Sequence, residues 1–125
     1  MIDVPELVVQ VSAGRTPARL PLLRRAVAGT CSQAGLPVDR MYDAIVILEA
    51  LLADVRTARA DEVQLTLTAR PGSFALLMGP FPDSEAELML GATDLPSAGP
   101  IVEQLATSAR SLDDGSRLLV VVDAA

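Results

Sequence analysis

Residues 62–79 read EVQLTLTARPGSFALLMG, and the period of this stretch decides the fold. Val63, Leu65 and Leu67 alternate with Gln64, Thr66 and Thr68, the two-residue repeat of a strand with one buried and one wet face. Arg70-Pro71-Gly72-Ser73 supplies a tight turn, because proline presets its own φ and glycine accepts a positive one. Phe74–Met78 returns as a more uniformly apolar strand, expected nearer the centre of a sheet and antiparallel to its neighbour. Gly79-Pro80-Phe81-Pro82 cannot continue the ladder, so the chain leaves the sheet there.

Upstream of the hairpin the period lengthens. Val38, Met41, Ile45, Leu48, Leu52 and Val55 recur at steps of three and four, which predicts a helix with those residues toward the core. Between Ala44 and Ala53 its only charge is Glu49, so burial over most of its circumference is expected. A preceding helix is expected from about Pro21 to Ala34, burying Leu20, Leu23, Val27, Cys31 and Ala34 and ended by Gly35. Thr16-Pro17 offers an earlier start, but a proline at position 21 would sit inside that helix and remove a bond. Leu7–Val11 reads as a short strand closed by a turn at Ser12–Arg15.

Downstream, Ser84 with Glu87 three residues later resembles a capping box for a short helix ended by Gly91. A loop from Ala92 to Gly99 follows, then a helix opened by Pro100 and running to about Ala109, with Ile101, Val102, Leu105 and Ala109 inward. Asp113-Asp114-Gly115 is a turn flanked by a short stub near Ser111 and by the strand Arg117–Val122, which is apolar enough to lie inside the sheet. The expected fold class is α/β (α+β): a two-layer sandwich, its sheet mixed and largely antiparallel, with the helices on one face. The stretch 1–125 carries no repeat or linker that would divide it and reads as a single domain.

Composition narrows the chemistry. The chain has no Lys, His or Asn, one Cys, and a net charge of -6 carried by 16 acidic residues against ten Arg. Without His there is no Ser-His or Cys-His nucleophile pair and no zinc site of ordinary ligand type. The missing Lys removes a P-loop and any Schiff base. Scattered Arg and only two Phe and one Tyr argue against nucleic acid, which asks for clustered positive charge and stacking rings. The single Cys31 fits a reduced compartment, and it reads as a buried small hydrophobe. Neither a secretory signal nor a membrane span is visible, so a cytoplasmic location is expected.

The order of elements resembles the ATP-binding fold shared by histidine kinases and gyrase, the GHKL or histidine-kinase-like ATPases, and within it the small bacterial anti-sigma-factor serine kinases. The likeness runs from about Leu7 to Asp123 and rests on layout and three altered motifs. That family's helix carries Glu-Ala-x-x-Asn-Ala, in which the resemblance makes Glu the base and Asn the holder of magnesium. Here the segment is Glu49-Ala50-Leu51-Leu52-Ala53-Asp54, so Glu49 is kept and Ala53 replaces the Asn. Asp54 stands one position on, about 100° away on a helix. The family's Asp-x-Gly, whose Asp bonds the adenine, corresponds to Leu77-Met78-Gly79, and leucine accepts no hydrogen bond. The phosphate loop corresponds to Ser97-Ala98-Gly99-Pro100, with one glycine and a proline lacking an amide.

The resemblance therefore implies a degenerate nucleotide pocket at Glu49, Ala53, Leu77, Gly79 and Gly99. It points to a regulatory protein-binding module of anti-sigma-factor type in bacterial signalling or transcription control. Its implied partners are a sigma factor, an anti-sigma antagonist or a second copy of itself. No cofactor or metal is expected under this reading, and no enzyme activity. The alternative is a weak ATP-dependent serine protein kinase using ATP and Mg with Glu49 as catalytic base; a third is a structural or small-ligand-binding domain. From the residues alone, Glu49 reads first as a partly buried carboxylate paired with Arg56 or another Arg, and Gly79 as a backbone requirement. Asp83, Glu85 and Glu87 read as solvated charge at a helix start, or as a patch for a divalent metal or a basic partner.

Overall fold

A computed structural model of the chain describes residues 6–12, 16–54, 57, 62–82, 85–91 and 97–125. The described strands are β1 (Glu6–Ser12), β2 (Glu62–Arg70), β3 (Ser73–Gly79), β4 (Ser108–Leu112) and β5 (Arg117–Asp123). The described helices are α1 (Thr16–Gln33), α2 (Val38–Ala53), α3 (Glu85–Gly91) and α4 (Gly99–Leu105). The strands form one sheet in the order β1-β2-β3-β5-β4. Every pairing is antiparallel, where the sequence allowed for a mixed sheet. The architecture is α+β, with the helices packed on the sheet.

The alternation in β2 and β3 does what its period requires. Val63, Leu65, Leu67 and Ala69 of β2 and Phe74, Leu76 and Met78 of β3 are buried, and so are Leu118, Val120 and Val122 of β5. Register confirms that they share one side: Leu67 lies opposite Leu76, and Leu76 opposite Val120. Above them pack Leu23, Val27 and Cys31 of α1, Ile47, Leu48 and Leu51 of α2, Ala86 and Met89 of α3, and Val102 of α4. Two features of the expectation hold closely. Residues 71–72 form the hairpin turn with Gly72 at φ +77°. Gly35, at φ +76°, ends α1, with its N–H donating to Ser32 O and the Leu36 N–H to Cys31 O, the paired bonds of a Schellman cap.

Three expectations are corrected. Helix α1 begins at Thr16 rather than Pro21 and carries Pro21 inside it; so near the N-terminus proline deletes a single backbone bond, which the rest of the helix outweighs. Helix α2 is turned from its expected phase: Ala44, Ile47, Leu48, Leu51 and Leu52 are buried, while Val38 is 62% exposed and Met41 and Ile45 are half-buried. Helix α4 stops at Leu105 rather than near Ala109, because Ala106 is already extended and residues 108–112 pair with β5 as an additional strand. Val55, Arg56, Asp83, Ser84, the loop at 92–96 and the turn at 13–15 lie outside the described residues.

Arg40 fixes the helix layer to the sheet edge. Its Nε donates to Asp123 O at 2.9 Å, Nη1 to Asp43 Oδ2 at 2.6 Å and to Leu105 O at 3.1 Å, and Nη2 to Thr107 Oγ1 at 3.2 Å. One planar fork thus joins the start of α2, the end of α4, the entry to β4 and the end of β5. No helix among the described residues is long and apolar enough to cross a membrane.

Candidate functional site

Because α2 presents Ala44, Ile47, Leu48 and Leu51 to the core, the opposite side of the same helix faces outward. That side carries Val38, Tyr42, Val46 and Ala53, with Glu49 among them. Steps of three and four residues put Glu49 and Ala53 in the same stripe. Glu49 does not stand alone: its Oε1 accepts from Arg24 Nε of α1 at 2.9 Å, with both side chains more than two-fifths exposed. The partner is therefore Arg24, and the pair lies at the surface, where such contacts contribute little. Ala53 is exposed and offers no ligand atom.

Asp54 behaves differently from Glu49. It caps the C-terminus of α2 in an extended conformation (φ -64°, ψ 139°) and is 1% exposed. Its Oδ2 accepts from the Ala98 N–H at 2.8 Å. The next amide, Gly99 N–H, donates to Ser97 Oγ at 3.2 Å, and that hydroxyl donates to Met89 O at 3.1 Å. Pro100 has no N–H. The three positions that open α4 are thus two amides with acceptors inside the chain and one without a donor. The Thr57 hydroxyl donates to Leu51 O at 2.6 Å and closes the end of α2 beside them.

The remaining residues of the expected pocket are dispersed. Gly79 is buried where β3 ends, at φ +151° and before a cis Gly79–Pro80 bond. A Cβ there would lie 2.8 Å from Ser116 O in the β4–β5 turn, so the position requires glycine for close backbone approach. The same turn accepts from the Phe81 and Ala86 N–H groups, at 2.7 and 3.0 Å. Leu77 faces away from the helices, in a depression of about 530 Å³ with Thr66, Leu119 and Arg110. Gly99 lines a separate cavity of about 280 Å³ between α3, α4 and β4, below the roughly 300–1,000 Å³ of most small-molecule pockets. The five residues are not gathered round one space: Leu77 and Gly99 line different cavities on opposite sides of the sheet.

Other reactive groups are quiet. Cys31 is buried, and burial pushes its thiol up to about 12, so it stays protonated and unreactive at neutral pH. No cluster of three or more potential metal-ligating side chains exists among the described residues. Sequence reasoning missed the Asp54–Ala98 contact, which joins residues 44 positions apart and leaves no local signal. The Arg40 fork was equally invisible. Comparison with known proteins finds no matching family model and no matching curated protein.

Proposed function

We propose that this chain is a regulatory, protein-binding module of anti-sigma-factor type: a histidine-kinase-like ATPase scaffold, working in the bacterial cytoplasm, that has given up nucleotide chemistry. The observation that carries this reading is the state of the amides at 98–100. On the resembling fold they would face phosphates; here Asp54 and Ser97 accept from them and Pro100 removes the third. A buried carboxylate already stands against the Ala98 amide, so a phosphate arriving there would meet like charge. Replacement of the magnesium-holding Asn by Ala53 and of the adenine-binding Asp by Leu77 supports the same conclusion. What remains is a folded surface able to recognise another protein, a sigma factor or an anti-sigma antagonist.

Thermal unfolding with and without about 1 mM Mg-ATP or Mg-ADP tests this. A site with a dissociation constant near 10 μM would add roughly 2.7 kcal/mol and raise the midpoint by several degrees. The expected result is no shift with either nucleotide. A shift abolished in Glu49→Ala would restore the serine-kinase reading and overturn this one.

A further inference from the structure

The helices cover one side of the sheet; the other side carries more apolar surface than a wet face needs. Ala75 and Leu77 of β3 and Leu119 and Val121 of β5 point there, half-exposed, in two adjoining cross-strand rows. With Thr66, Thr68, Ser73, Arg70 and Arg110 they line the depression of about 530 Å³. Both charged groups in that lining are arginines, and both are exposed. Arg24, Arg40 and Arg117 each hold a carboxylate within 3.1 Å, whereas Arg70 and Arg110 have no ion pair among the described residues. Their strands, β2 and β4, are three spacings apart in the sheet, or about 14 Å at roughly 4.8 Å each. By register Arg110 lies in the row of Leu119, Leu77 and Thr66, four residues along β2 from Arg70, so the two arginines stand at diagonal corners of the aliphatic floor. By register the acidic residues at this side are Asp123, in the row of Arg70 and Ser73, and Glu6, opposite Thr68.

We propose that this open face docks an acidic, aliphatic segment of a partner protein, with carboxylates on Arg70 and Arg110 and aliphatic side chains over Leu77, Leu119 and Val121. The proposal rests on the protein-binding reading above and names the surface and the chemistry of its partner. Charge complementarity selects the occupant. In a chain of net charge -6, two arginines that hold no carboxylate among the described residues, beside one apolar floor, match a segment that brings its own. A second copy seated face to face would crowd four arginines together, and an anionic membrane would repel so acidic a chain.

The test is selection of a random-peptide display library on the immobilised protein, followed by titration of the enriched peptides against wild type and Arg70→Glu/Arg110→Glu. Circular dichroism checks that the double variant keeps the wild-type unfolding midpoint, as surface substitutions should. Enriched peptides combining Asp or Glu with Leu, Ile or Val, binding the double variant at least tenfold more weakly, are expected. Leu119→Ser should weaken the same peptides without changing the salt dependence. Enrichment of basic peptides, equal affinity for both proteins, or no enrichment would overturn the proposal. So would burial of this face by self-association in sedimentation, or protein captured by phosphatidylserine vesicles while the peptides fail. Nucleotide shift data distinguish the two levels: a Mg-ATP shift sinks the functional reading, whereas peptides that ignore Arg70 and Arg110 sink only the docking face.

Discussion

Leu76 and Leu77 are neighbours on β3, the same residue type on the same strand, and the fold uses them in opposite ways. Leu76 is 1% exposed beneath the helix layer, opposite Leu67 and Val120; Leu77 is half-exposed on the other side, opposite Thr66 and Leu119. The first is demanded by packing. The second is not, since Thr66 one strand over occupies an equivalent place with a polar side chain. Apolar residues at Leu77, Leu119 and Val121 are therefore less constrained by packing than Leu76, and they form the floor on which the docking proposal rests.

Substitutions sharpen the comparison in a definite order. Leu76→Ala should cost about 2–5 kcal/mol in chemical denaturation, the range for emptying a packed core position. A smaller loss would mean that the helix layer collapses onto the gap. Gly79→Ala, at the strand end where a new methyl meets Ser116 O, should cost about 1–3 kcal/mol through backbone strain. Asp54→Ala strips the buried Ala98 amide of its acceptor and should cost about 1–3 kcal/mol, while Asp54→Asn, which keeps an acceptor oxygen, should lose less. Equal losses for the two would show that charge, not the hydrogen bond, holds the segment. Leu77→Thr should stay within about 0.5 kcal/mol of wild type. A drop approaching that of Leu76→Ala would erase the distinction between the two faces. Smallest of all, Arg24→Ala should change stability by about 0.2–1 kcal/mol, and less at high salt, because its pair with Glu49 is solvent-exposed.

The strands were legible where one face repeats every second residue: β2 announces itself through Val63, Leu65 and Leu67, and Pro71-Gly72 fixes its turn. Helix α2 was legible as a helix but not in its orientation. Apolar residues cover most of its circumference, so Val38-Met41-Ile45 and Ala44-Ile47-Leu51 are equally regular, and only packing against α1, α4 and β5 chooses the second. Strand β4 was legible only as a stub near Ser111, because Ser108-Ala109-Arg110-Ser111-Leu112 has no apolar alternation; its pairing to β5 is a backbone matter. Of the candidate site, Glu49, Ala53 and Leu77 could be read from the sequence as residues, while their place round a nucleotide was only what the resemblance implied. Asp54 could not be given its place, since the helix geometry that turned it away from Glu49 ends one residue before it, at Ala53.

The Asp54 carboxylate also acts as a built-in competitor for the Ala98 amide. A ligand tethered to the chain never diffuses away, and short tethers of this kind correspond to effective concentrations of millimolar or more. Any free anion approaching the Ala98 amide competes with a rival that is present at the same strength whatever the cell's nucleotide pool. A contact built this way holds the start of α4 in one conformation whatever the concentration of free anions around it.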